Sequence, residues 1–336
     1  MKRLLLPLVI VMMGCALCQG ISAESQYEIC SDVAIPQSAK TAGAIAWAGN
    51  STAYVVTDDR PSKLYEFKLN FDEDNVLKFV TATLIGTPQN AIDSEAIDYD
   101  FASGSVWIAH EVGSSILNYD LKDKSLAPIS KVTMPAIISN ARKGRSLESL
   151  AISQDGLTLF TCSEESLRCD GPNTTRKNGS WIRLMKFVRS SVNSQWKESG
   201  QWAYMTEKIQ GGPWKTKTGD ATRNGVSALT LTRGGTLLLL ERDFSTRFFP
   251  VMDCRIYEID FSNATDVTNL ASLVGEEKFT PVSKKEVFRV CGLAMYEGLC
   301  NGPIMKDGRE SFFLCSDGGR GTPARILQIT RPIKNY

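Results

Sequence analysis

One β-hairpin unit occurs five times along the chain, and this recurrence restricts the fold more than any other feature. The copies are GAIAWAGNSTAYVVTDD (43–59), EAIDYDFASGSVWIAHE (95–111), ESLAISQDGLTLFTCSE (148–164), SALTLTRGGTLLLLE (227–241) and EGLCNGPIMKDGRESFFLCSD (297–317). Each has a short apolar strand, a polar turn and a second β-rich strand that ends in a carboxylate, which is the pattern of a hairpin. A third strand follows each copy: KLYEF (63–67), SILNY (115–119), IRLMKF (182–187), RIYEI (255–259) and RILQI (325–329). A fourth follows four of them: VTATLIG (80–86), PISKVTM (128–134), QWAYMTE (201–207) and KEVFRV (285–290). The fifth copy runs out of chain, and YEICSDVAI (27–35) near the N-terminus supplies its missing strand.

Four strands per unit, repeated radially, predict an all-β propeller with five four-stranded blades, the N-terminal strand closing the last blade and covering its open edge. A β-sandwich or two β-domains would not explain five copies of one unit. The copies start at residues 43, 95, 148, 227 and 297. The last two intervals exceed the roughly 40–50 residues of a usual blade. Their extra length falls near 166–180, 208–223 and 262–280, which leaves room for a sixth, divergent blade.

In an antiparallel hairpin the start of strand one and the end of strand two lie together. This places Glu95 with Glu111, Glu148 with Glu164, Glu297 with Asp317, Ser227 with Glu241, and Gly43 with Asp58 or Asp59. The innermost strands of a propeller line its channel, so these carboxylates are expected around one mouth. Crowded like charges raise one another's pKa or require a cation. With His110 as the only histidine, zinc and copper are disfavoured. Ca²⁺, which takes hard oxygen ligands, is the expected cofactor. Its predicted ligands are Glu95, Glu111, Glu148, Glu164, Glu297 and Asp317, with Glu111, Glu164 and Glu241 as the catalytic set. Arg60, Lys63, Arg145, Arg223, Arg242 and Arg320 flank these positions. Of these, Arg145, Arg242 and Arg320 are predicted to hold an anionic substrate such as a phosphoester.

Charge and motifs exclude other classes. Lys+Arg 38 against Asp+Glu 37 lacks the basic excess of a nucleic-acid binder. No nucleophile elbow, Walker A motif or dinucleotide fingerprint is present. His110 is the one possible imidazole base, which keeps an esterase or lactonase reading open. Trp47 and Trp107 read as core.

Residues 1–23 read as a secretory signal peptide. Lys2 and Arg3 precede an apolar run, Leu4 to Leu17, and small residues allow cleavage after Gly20 or Ala23. No other apolar run is long enough to span a bilayer. A secreted chain without stable membrane insertion is therefore expected, with one domain over 24–336. Sequons at Asn50, Asn173, Asn178 and Asn263 fit secretion, and GPNTTRKNGS reads as an exposed loop. Cys30, Cys162, Cys169, Cys254, Cys291, Cys300 and Cys315 remain after signal removal, and in an oxidising compartment most are expected to pair. Cys300 and Cys315 would lie nearly opposite if Glu297 faced Asp317.

DSEAIDYDFASGSVWIAHE, RSLESLAISQDGLTLFTCSEE, NGVSALTLTRGGTLLLLERDF and YEGLCNGPIMKDGRESFFLCSD resemble, in order, segments of the phytase-like family, also called esterase-like activity of phytase. The resemblance spans roughly residues 40–330. It implies a secreted β-propeller related to hydrolases, with clustered Ca²⁺ holding phosphate and activating water. YVVTDDRPSKLYEF is also similar to the first blade of calcium-activated apyrases, which are nucleotidases. Ser227 and Gly43 interrupt the acidic pattern. Fold does not fix function, so a binding or scaffold propeller with structural calcium is the alternative.

Overall fold

A computed structural model describes residues 27–210, 223–245, 251–275, 278–319 and 321–331. These form five separate four-stranded antiparallel sheets. The first blade is β2 (Ala42–Gly49), β3 (Thr52–Thr57), β4 (Leu64–Phe71) and β5 (Leu77–Gly86). The second is β6 (Ser94–Asp100), β7 (Ser105–His110), β8 (Ser115–Tyr119) and β9 (Pro128–Lys131). The third is β10 (Leu147–Ile152), β11 (Thr158–Ser163), β12 (Trp181–Val188) and β13 (Lys197–Met205). The fourth is β14 (Arg223–Leu231), β15 (Leu237–Ser245), β16 (Val251–Asp260) and β17 (Ser283–Gly292). The fifth joins β18 (Met295–Ile304), β19 (Glu310–Asp317) and β20 (Arg325–Arg331) to β1 (Glu28–Ala34).

The expected closure is present. β1 pairs antiparallel with β20, from Glu28 opposite Thr330 to Ala34 opposite Arg325. It tethers the two ends of the chain through backbone hydrogen bonds and covers the edge of β20.

The apolar core is divided among the blade interfaces. Ala46, Val56 and Leu64 of the first blade meet Ile97, Ile108 and Tyr119 of the second. Trp107 and Ile116 meet Leu150 and Phe187 between the second and third. Comparable clusters join the third to the fourth, the fourth to the fifth and the fifth to the first. Strands buried on both faces explain why β7 and β10 are buried at every residue. Trp107 is core, as its strand pattern implied.

No sixth blade occurs among the described residues. The long interval after the fourth hairpin instead holds a loop, between β16 and β17, that packs on the outer edge of blade three. Val267 and Leu273 pack on Ala203. Arg183, fully buried, ties the loop down. It donates to both carboxylate oxygens of Asp170 at 2.7 and 2.8 Å and to the carbonyls of Val267 and Leu270. A bidentate, charge-assisted pair with both partners buried is costly to break.

The seven cysteines among the described residues are all free thiols. Cys300 and Cys315 share one buried cluster but are not bridged. A bulge between Tyr296 and Gly298 places Cys315 opposite Gly298 and Cys300 opposite Phe313. No helix among the described residues is long and apolar enough to cross a membrane. The expected signal segment lies outside the described residues. Asn50, Asn178 and Asn263 are exposed, whereas the Asn173 amide donates to Glu165.

Candidate functional site: an acidic channel mouth with an internal arginine

Every innermost strand carries a bulge at the same place. The register shifts between Ala42 and Ala44, Ser94 and Ala96, Leu147 and Ser149, Val226 and Ala228, and Tyr296 and Gly298. The unpaired residues are Gly43, Glu95, Glu148, Ser227 and Glu297. A bulge leaves one residue out of the ladder and re-aims its side chain. Glu95, Glu148, Ser227 and Glu297 all line the narrow channel beside Ala96, Ile97, Leu150, Ala228 and Leu229, where only about 10 Å³ remains open. The channel is narrow where these carboxylates and apolar side chains meet.

The same bulges correct the expected pairing of the repeats. The residue before each bulge faces Thr57, His110, Ser163, Glu241 or Ser316. The next residues on the second strands are Asp58, Glu111, Glu164, Arg242 and Asp317. Arg242 therefore holds the fourth blade's place in the ring, not Glu241. Alternation along β15 sends Glu241 to the opposite face. There it is fully buried and accepts from Tyr204 Oη, from Glu207 N at 2.9 Å, from Asn224 Nδ2 at 2.7 Å and from Lys284 Nζ at 2.9 Å. Glu241, expected among the catalytic residues, is a separate structural anchor between blades three and four.

Arg242 reaches into the acidic ring and divides it. Its guanidinium lies 2.9 Å from Glu164 and 3.9 Å from Glu148, and pairs with Glu297. Arg145 adds a second cation, 2.9 Å from Glu164 and 3.5 Å from Glu165. Gly225 matters here: a Cβ on it would come within 2.9 Å of Glu164 Cγ. Burial, with Glu164 and Glu95 nearby, still pushes the Glu148 carboxyl well up. Burial, with Glu164 beside it, takes Glu165 up to about 7.

The opposite half of the ring is built from carboxylates of the first two blades. One carboxylate oxygen from each of Asp58, Asp93 and Glu95 lies within 4.8 Å of the others. Burial, then Asp58, Asp93 and Glu111, raises the Glu95 pKa well above the ordinary range. Glu111 is raised to about 7, first by burial and then by a hydrogen bond with Asp93, against the Ser146 N–H that donates to its Oε1 at 3.0 Å. Arg60 grips Asp93 in a bidentate pair at 2.8 and 2.5 Å from the solvent side. All-oxygen donors at this spacing fit a hard divalent cation such as Ca²⁺.

Asp317 is buried at the fifth position of the ring and accepts from Gly319 N at 2.7 Å. Arg320 lies outside the described residues. Asp93 escaped sequence reasoning because the repeat unit begins at Glu95, although it stands in the quoted DSEAID segment. Arg142 and Lys143, which line the groove beside Asp93 and Glu111, were also missed. The basic run ARKGR was the available signal.

His110 is buried and locked. Tyr119 Oη donates to Gln89 O at 2.9 Å, so it accepts from His110 Nε2 at 3.1 Å. His110 Nδ1 then accepts from Ser94 Oγ at 3.0 Å. Burial lowers its pKa to about 4. The unfolded chain binds this proton near the ordinary value of about 6.5, so folding is favoured above that pH and loses stability as pH falls toward 4. His110→Gln is expected to remove about 3 kcal/mol of that acid sensitivity, checked by urea unfolding at pH 7 and pH 4. Equal pH slopes for variant and parent would overturn this assignment.

The fold is thus a five-bladed propeller with an acidic channel mouth. The chain matches the Phytase-like family, described as esterase-like activity of phytase, over residues 40–318, and it belongs to that family. No curated protein matches it. Among solved structures it is similar to an endo-arabinase from Bacteroides thetaiotaomicron VPI-5482, at 15% identity over 91% of this chain and 98% of that one, TM-score 0.45. It is also similar to the Trichoderma reesei Carbohydrate-Active Enzymes Family AA12 structure, at 12% identity over 91% and 96%, TM-score 0.44. Kuenenia stuttgartiensis hydrazine synthase matches at 10% identity over 84% of this chain and 58% of that one, TM-score 0.37.

Proposed function

We propose that this chain is a secreted, calcium-binding propeller that hydrolyses phosphoesters at its acidic channel mouth. The carrying observation is the adjacency of two features: the Asp58–Asp93–Glu95 oxygen cluster and a groove whose lining includes Arg60, Asp93, Glu111, Arg142 and Lys143. Calcium held by Asp58, Asp93 and Glu95 would supply Lewis acidity toward a phosphoryl oxygen and a lowered pKa for water. Arg60 and Lys143 orient the phosphate. Glu111, near half-protonated at neutral pH, holds the proton needed by the departing alkoxide. Arg145 and Arg242 balance Glu148, Glu164 and Glu297.

The test is an assay of the purified protein on phenyl phosphate, a nucleotide and inositol hexakisphosphate, with Ca²⁺ and with chelator. Turnover that chelator abolishes and calcium restores is expected. Absence of chelator-sensitive turnover on all three removes the hydrolase reading.

The narrow channel and the internal arginine favour one second reading, an extracellular binding propeller with structural calcium. Under it, calcium raises the melting temperature and no substrate turns over.

A further inference from the structure

The groove beside Asp93 and Glu111 encloses about 640 Å³. Its charge and its apolar surface together narrow the ligand. Val112, Met134, Pro135, Ala136, Ile138 and Ala141 supply an apolar wall. Val112 is 53% exposed although it follows a buried glutamate, and an exposed apolar side chain beside a polar site is a common feature of small-molecule clefts.

Cations in the described lining number three, Arg60, Arg142 and Lys143, against the carboxylates of Asp93 and Glu111. Arg60 spends Nε and Nη2 on Asp93 but keeps its side chain 67% exposed to the groove's solvent side. One of the three is already committed. Arg142 donates Nε to Ser166 O at 3.0 Å and Nη2 to Gly171 O at 2.7 Å. The remaining positive charge matches one phosphate group. A ring carrying phosphates on every side would press several of them against the apolar wall without a counter-charge, at the desolvation cost of unpaired ions.

Resting on the phosphoester reading, we infer that the substrate is a phosphoester of an apolar alcohol: one phosphate at Arg60 and Lys143, and an alkyl or aryl body on Val112, Met134 and Ile138. Hydrolysis joins a water oxygen to phosphorus and breaks the bond from phosphorus to the alcohol oxygen. That oxygen takes a proton, and the products are inorganic phosphate and the free alcohol, with no change of oxidation state.

The test reads binding and turnover separately. Calorimetry of the calcium-loaded protein with ethylphosphonate and hexylphosphonate measures the wall without chemistry. Burial of a methylene is worth roughly fourfold in affinity, so hexylphosphonate is expected to bind at least tenfold tighter. Val112→Asp, at an exposed position that tolerates the change, is expected to remove most of that preference. In turnover, hexyl phosphate is expected to exceed inositol hexakisphosphate at least tenfold in kcat/KM. Equal phosphonate affinities, or a preference that Val112→Asp leaves intact, overturn the inference. Preferred turnover of inositol hexakisphosphate overturns it while the phosphoester reading stands. Hexyl preference in binding with no turnover of any ester supports the groove's ligand class and removes the hydrolase reading alone.

Discussion

Arg242→Ala is expected to lower folding stability by about 3–5 kcal/mol at pH 8, because it leaves buried carboxylates without their counter-charge. The side chain is 11% exposed and serves Glu148, Glu164 and Glu297 together. Glu148 is already raised by burial and by Glu164 and Glu95, and losing the guanidinium raises it further. A carboxylate whose folded pKa is raised above its unfolded value favours folding only below that unfolded value, and its contribution is lost as pH rises through the folded one. The defect should therefore shrink as pH falls from 8 toward 5. Arg242→Lys keeps the charge but loses the fork that spans several carboxylates, so it should recover only part of the loss. Urea unfolding at pH 5.5 and pH 8 measures both effects. A loss below 1 kcal/mol at both pH values would show that the ring does not depend on its arginine.

Glu111→Gln is expected to reduce kcat by about 10²–10⁴-fold, the usual contribution of a positioned general acid or base. Burial and the Asp93 hydrogen bond hold the carboxyl near 7. The active form is the protonated one, so parent activity should fall as pH rises through about 7, and the glutamine variant should lose that limb. Calcium lowers the pKa of a neighbouring carboxyl by favouring its charged form, so the limb should move to lower pH as calcium is raised. Glu241→Gln provides the contrast. Its network touches no groove residue, and removing a buried charge from Lys284 should appear as lost stability with an unchanged pH profile. If Glu241→Gln loses the limb and Glu111→Gln keeps it, the assignment of the two residues is reversed.

The repeat was legible because a blade is a local object. Hairpins, turn glycines and alternating apolar residues are short-range patterns, and SILNY 115–119 coincides with β8. The closing strand was legible for a related reason: four blades had a fourth strand after them, and the fifth required one from elsewhere. Bulges were not legible. Counting along each hairpin assumes one residue opposite one, and a single extra residue moves every later side chain to the other face. This is how Glu241 was read into the ring in place of Arg242. Asp93 was missed because it stands one residue before β6 and joins Glu95 only through the bulge that turns Glu95 inward.

Sequence alone determined the repeated blade unit, its strand order, the circular closure and the gathering of acidic side chains at one end of the channel, since each follows from patterns within about fifty residues or from the need to pair an open edge. Tertiary structure decided which carboxylates share a site and which are neutralised from within. Asp58, Asp93 and Glu95 come from two blades, while Arg242 answers acids from the third and fifth. The physical reason is range: backbone pairing and apolar burial are written locally, but electrostatic balance at a channel mouth depends on distances of a few ångströms between strands far apart in the chain, set by where each bulge turns its residue inward.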